Sequence, residues 1–144
     1  MNNSNLIKLL TYLGALPFFL AIFLGLTHQS FLDVVGIQWF LTYGLLILSF
    51  MAGTLWGQIV NERIKVKRIA LVSNAITLSA WFALLLADPT VVLIIMALGF
   101  VALYLLEAVV MSPIKRPDYY RVLRLRVTAL VVVAHGLMFL QVLI

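Results

Sequence analysis

The chain alternates between long, nearly uninterrupted apolar runs and short polar segments. Five runs approach or exceed the roughly 20 residues (range about 17–25) that a helix needs to cross a bilayer. They cover residues 9–26, 34–60, 69–86, 91–110 and 117–143, the last becoming continuously apolar from Val127. The second is long enough to tilt or to project past the hydrocarbon. All are too long and too evenly apolar for the alternating strands of a barrel. A helix also satisfies its own backbone groups, as hydrocarbon demands. The pattern therefore predicts an all-α, polytopic membrane protein, a single membrane domain built as a bundle of about five transmembrane helices.

The connections are short and differ in charge. His28 to Asp33 joins the first two runs, and Ala87-Asp88-Pro89-Thr90 predicts a tight turn between the third and fourth. Neither holds a lysine or arginine. Arg63, Lys65, Lys67 and Arg68 occupy the second connection, while Lys115, Arg116, Arg121, Arg124 and Arg126 lie in or beside the fourth. With Lys8 these are all ten basic residues of the chain. Five alternating spans put all ten on one side of the membrane, and positive residues are retained on the cytoplasmic side. The expected topology is a cytoplasmic N-terminus and a periplasmic C-terminus in a bacterial inner membrane. Leu24-Gly25-Leu26-Thr27-His28 offers no A-x-A-like cleavage site, so the first run is expected to remain a span rather than act as a secretory signal.

Composition agrees. Of 144 residues 65% are hydrophobic and 10% charged, and mean hydropathy is +1.16. Soluble domains average about 45–50% apolar and about 25% charged residues. The formal charge of +5 sits beside the spans, where it suits anionic lipid head groups. No separate basic domain exists to carry the phosphate contacts of a nucleic-acid binder, so no nucleic-acid partner is expected. The absence of cysteine excludes disulfides, thiol chemistry and Cys-based metal sites.

Polar side chains inside a span are costly unless paired, and so mark the informative positions. In the second run Gln38, Thr42, Ser49, Gly53 and Trp56 share one side, and Gly53 with Gly57 forms a G-x-x-x-G that permits close approach of two helices. This reads first as an intramolecular packing seam, with a homodimer interface or a ligand groove as alternatives. Ala70, Ser73, Asn74, Thr77 and Ala80 make a comparable face in the third run, and Asn74 is expected to bond across to a neighbour. Glu107, the acidic residue within the fourth run, lies about one turn from its inner end with Tyr104 on the same face. Arg121 and Arg124 start the fifth run at that level, so an intramembrane ion pair is expected there. His135, roughly 12 Å beyond Val127, reads first as a neutral packed histidine. Haem, quinone or proton-relay roles make it a weak cofactor-binding candidate. Pro17 should kink the first helix, with a neighbour taking up the carbonyl it frees. Tyr119, Tyr120 and the arginines after them suit the head-group zone.

Phosphate-binding glycine loops, H-E-x-x-H, G-x-S-x-G and paired nearby carboxylates are missing from the sequence. No catalytic residue, metal site or cofactor is predicted.

Leu13-Gly14-Ala15-Leu16-Pro17-Phe18, Ile47 through Gly57, and Tyr120-Arg121-Val122-Leu123-Arg124 through Thr128 resemble the family catalogued as domain of unknown function 3429. That family includes bacterial inner-membrane proteins and animal transmembrane protein 69. The resemblance covers nearly the whole chain and implies a small five-helix membrane protein without established activity. A histidine that often precedes the Trp-Gly pair in the family is Leu55 here, so no role resting on it transfers. Together these readings lead to a non-enzymatic accessory, assembly or scaffold subunit. Its expected partners are the anionic cytoplasmic face of the bilayer and a membrane protein or further copies of itself. A small transporter or channel, or a quinone- or haem-binding protein using His135, are the rival functions.

Overall fold

The computed structural model describes residues 3–62, 66–112 and 114–144. Its architecture is all-α, with five helical stretches long and apolar enough to cross a membrane. The first stretch is α1 (Asn3–Leu13) followed by α2 (Leu16–Leu26); the others are α3 (Gly36–Glu62), α4 (Val66–Leu86), α5 (Pro89–Leu105) with its extension, and α6 (Asp118–Leu143). Arg63 and Lys65, two of the basic residues between the second and third runs, lie outside the described residues.

Helix α2 packs on α3 and α6, and α5 packs on α3 and α6, closing a four-helix core. Helix α4 lies outside that ring across α3 and α5. The core is filled by Phe18 of α2, Phe40 and Leu48 of α3, Met96 and Leu103 of α5, and Ala134 and Met138 of α6. Large apolar side chains such as Leu46, Phe50, Leu71, Leu86, Leu98 and Leu140 remain exposed all around it. Such a surface suits hydrocarbon and not water.

The first span differs in detail from the sequence expectation. It starts at Asn3 rather than residue 9, and it breaks at Gly14-Ala15, ahead of Pro17. Pro17 then occupies the first turn of α2, where its missing N–H is not needed. The break frees carbonyl groups, and the Tyr43 hydroxyl of α3 donates to Gly14 O at 2.8 Å. A neighbouring helix thus satisfies the exposed backbone, as the bilayer interior requires.

Between α2 and α3 stands a small hairpin, β1 (Ser30–Phe31) paired antiparallel with β2 (Val34–Val35). Leu32 and Asp33, its two turn residues, both have positive φ; their backbone matches the right-handed twist of the strands. Trp39 Nε1 donates to Phe31 O at 3.0 Å and ties the hairpin to α3. Gly36, just after it, touches α2 so closely that a Cβ would stand 2.5 Å from Ala21 O and 2.6 Å from Gly25 N. The turn between α4 and α5 places Asp88 in extended conformation before Pro89 at the helix start.

Leu106–Val110 form a π-helical turn, closed by Met111 N donating to Leu106 O five residues back at 3.2 Å. One extra residue in the turn rotates the chain beyond it and leaves carbonyls without ordinary partners. Both effects shape the charged end of the bundle.

Candidate functional site

The charged end of the bundle gathers around Glu107, the second residue of the π-helical turn. Its carboxylate is 2% exposed and accepts from side chains on three segments. Arg124 Nε of α6 reaches Oε2 at 2.6 Å. On Oε1 converge Tyr120 OH at 3.0 Å, Gln58 Nε2 of α3 at 3.3 Å and Arg116 Nη1 at 3.2 Å. Arg116 also caps the π-helical turn, its Nη2 donating to Glu107 O at 3.0 Å and Met111 O at 2.7 Å. Cations near a helix C-terminus are favoured by the free carbonyls there. Arg124 Nη1 makes a further contact of 3.5 Å with Met51 Sδ of α3. One carboxylate therefore locks α3, α5 and α6 together, and the surrounding donors replace the water it has lost.

The expected neighbours of Glu107 are met unequally. Arg124 touches it, whereas Arg121 is exposed. The reason is helical spacing: Tyr120 and Arg124 stand four residues apart on one face of α6, and Arg121 is turned about 100° from Tyr120. Arg116 and Gln58 are additions that the sequence does not reveal. Arg116 is visible there only as loop charge, and Gln58 lies nearly fifty positions from Glu107. Tyr120, expected as an interface anchor, is a donor to the carboxylate. Beside the cluster opens a cavity of about 400 Å³ whose wall includes Tyr104, Ser112, Lys115 and Arg121 as well as Glu107 partners. On the same end, Lys8 Nζ sits 5.3 Å from the centre of the Tyr119 ring, a cation–π distance.

His135 lies elsewhere, in the core. Its ring centroid is 4.8 Å from Phe40, 5.4 Å from Phe100 and 5.6 Å from Phe18. Nδ1 is 2.8 Å from Val131 O, while Nε2 is buried without a hydrogen-bond partner and faces the space a Cβ at Gly44 would enter. The inward face of α6 runs through Leu123, Arg124, Thr128, Val131, Ala134, His135 and Met138; Arg121, Val132 and Phe139 of the same helix are only partly buried or exposed. His28 is exposed after α2. His135, Glu107 and Asn74 sit in three different settings, and no hydrogen bond joins any two of them among the described residues.

The helix-packing residues require a correction. Ser49, Gly53 and Gly57 face outward from α3, and a Cβ at either glycine would meet nothing within 4 Å. They are not an intramolecular seam. Close helix approaches within the chain occur instead at Gly36 and at Gly99, where a Cβ would meet Ile76 at 3.1 Å and Leu48 at 3.3 Å. Trp56 does reach the next helix, donating to Ser73 Oγ at 3.2 Å. Ser73 is fully buried, and Thr77 bonds back to Ser73 O at 3.1 Å. Asn74, expected to bond across to a neighbour, is exposed on α4. Its spacing from Ala70, Thr77 and Trp81 puts it on the flank adjoining Ser73 and hence Trp56.

A family model described as "Protein of unknown function (DUF3429)" matches residues 4–140. No curated protein and no solved structure matches the chain.

Proposed function

We propose that this chain, which belongs to the DUF3429 family, is a non-enzymatic accessory or assembly subunit of a membrane complex. In this reading it sits in a bacterial inner membrane with its N-terminus and basic connections in the cytoplasm and its C-terminus in the periplasm. One observation carries the subunit role: a small and polar stripe that the chain itself leaves uncovered.

Ser49, Gly53 and Gly57 recur every four residues on the outer face of α3, with open space beyond both glycines. Asn74 stands exposed on the adjoining flank of α4, about 12 Å beyond Val66 along the helix. Lipid gains nothing from small residues at this depth and leaves a carboxamide without partners. A second helix gains close backbone contact over the glycines and a hydrogen bond from Asn74, worth about 0.6 to 2 kcal/mol in a membrane. The occupant that fits is a transmembrane helix of a different membrane protein, presenting its own small or polar face.

A photo-crosslinking amino acid at Gly53, incorporated in native membranes, tests this directly. The proposal expects a discrete adduct with another membrane protein, lost when Gly57→Leu fills the groove. Adducts with lipid alone, or recovery of the chain only as a free monomer in mild detergent, would overturn it. An adduct of twice the chain mass would replace the heteromeric reading with self-association.

A further inference from the structure

The cavity beside Glu107 has a charge balance that the ion pairs do not use up. Four cationic side chains line it, Lys115, Arg116, Arg121 and Arg124, against the one carboxylate of Glu107, leaving a formal surplus of three. Both Glu107 oxygens are already engaged by Arg124, Arg116, Tyr120 and Gln58. Glu107 therefore acts as the post that holds two arginines in place. Lys115 and Arg121 have no carboxylate partner among the described residues. The Nε of Arg116 is buried without a hydrogen-bond partner. Ser112 and Tyr104 add hydroxyl donors to the wall.

We propose that this cavity is a binding site for a phosphate group. Guanidinium and ammonium groups recognise phosphate through charge-assisted hydrogen bonds, arginine through its planar fork. A volume of about 400 Å³ falls within the ~300–1,000 Å³ of small-molecule sites. The place in the fold agrees. The cavity lies where α5 ends and α6 begins, at the end of the bundle where phosphates of lipid head groups stand and where basic pockets between helices hold them. The same chemistry would accept the phosphate of a soluble compound entering from the aqueous side.

The test uses the full chain in neutral detergent with three probes: short-chain phosphatidylglycerol, short-chain phosphatidylcholine and inorganic phosphate. Binding is followed by thermophoresis at fixed ionic strength. Saturable binding of phosphatidylglycerol but not of inorganic phosphate identifies a head-group site. Saturable binding of inorganic phosphate, with no tighter binding of the lipid, identifies a soluble phosphate ligand. In either case Lys115→Gln with Arg121→Gln weakens binding at least tenfold, and Lys115→Arg with Arg121→Lys restores it. That second pair keeps the test valid if charge removal disturbs the fold. Equal binding of phosphatidylcholine, which carries the same phosphodiester, would support a site that reads the phosphate alone. Absence of saturable binding of every probe, or unchanged affinity in the Gln pair, would overturn the proposal. The cations would then serve only to orient the chain in the membrane.

Discussion

Replacing Glu107 with Gln is the most informative single perturbation of the charged end. The change keeps the side-chain shape and one carbonyl oxygen, so Tyr120 and Gln58 retain an acceptor while the negative charge goes. What remains is Arg124, 7% exposed, with its 2.6 Å partner neutralised, and the largely covered Arg116. Had the pair been exposed, its loss would cost about 0–1 kcal/mol. A buried cation stripped of its partner instead costs about 3–5 kcal/mol, and the low exposure of both Glu107 and Arg124 places this site in the second class. Arg124→Met in the same chain removes the stranded charge, and Met replaces its apolar stem beside Met51. The double variant should therefore recover most of the loss, a coupling energy of at least about 2–3 kcal/mol between the two positions. Equilibrium unfolding in mixed detergent micelles, read by tryptophan fluorescence, measures all three variants against the parent. A cost for Glu107→Gln below about 1 kcal/mol, or strictly additive effects in the double variant, would refute the reasoning.

Other positions give sharper contrasts. Gly36→Ala should cost about 1–3 kcal/mol or more, because its Cβ meets backbone atoms of α2 that cannot swing aside; Gly57→Ala, facing open space, should leave the unfolding of the isolated chain unchanged. Tyr43→Phe removes the donor to Gly14 O at the break in the first span and should cost about 1–3 kcal/mol in the same assay. His135→Leu should change stability by less than about 1.5 kcal/mol, since it fills a similar space and removes an unpartnered nitrogen, whereas His135→Ala opens a cavity among Phe18, Phe40 and Phe100 and should cost about 3–5 kcal/mol. Equal loss in both His135 variants would argue instead for a specific role of the imidazole.

The spans were legible because their length is set by bilayer thickness, a constraint that acts on each segment alone. The Glu107–Arg124 contact was legible in part for a similar reason: a carboxylate near a span end needs a cation at its own level. The remaining partners depend on the π-helical turn at Leu106–Val110, whose extra residue shifts the register in a way no local pattern announces. Ser49, Gly53 and Gly57 illustrate a different limit. In a soluble helix the polar side faces water, so periodicity reveals which way a face points. In a membrane both the lipid and the interior are apolar, and a small-residue stripe reads the same whether it faces the chain's own core or another protein. The break in the first span shows the third limit, since Pro17 marked a disturbance but not that it would start a new helix three residues after the old one ended.

Sorting of all the basic residues to one side of five spans underlies the proposed topology. Because the chain contains no cysteine, single cysteines report without background. Introduced at Gln29, Lys67 and Lys115, all exposed, they can be treated with a membrane-impermeant maleimide in intact spheroplasts. Labelling at position 29 from outside, with positions 67 and 115 reacting only after the membrane is opened, is the predicted result. External labelling of position 115 while position 67 stays protected would contradict the five-span arrangement.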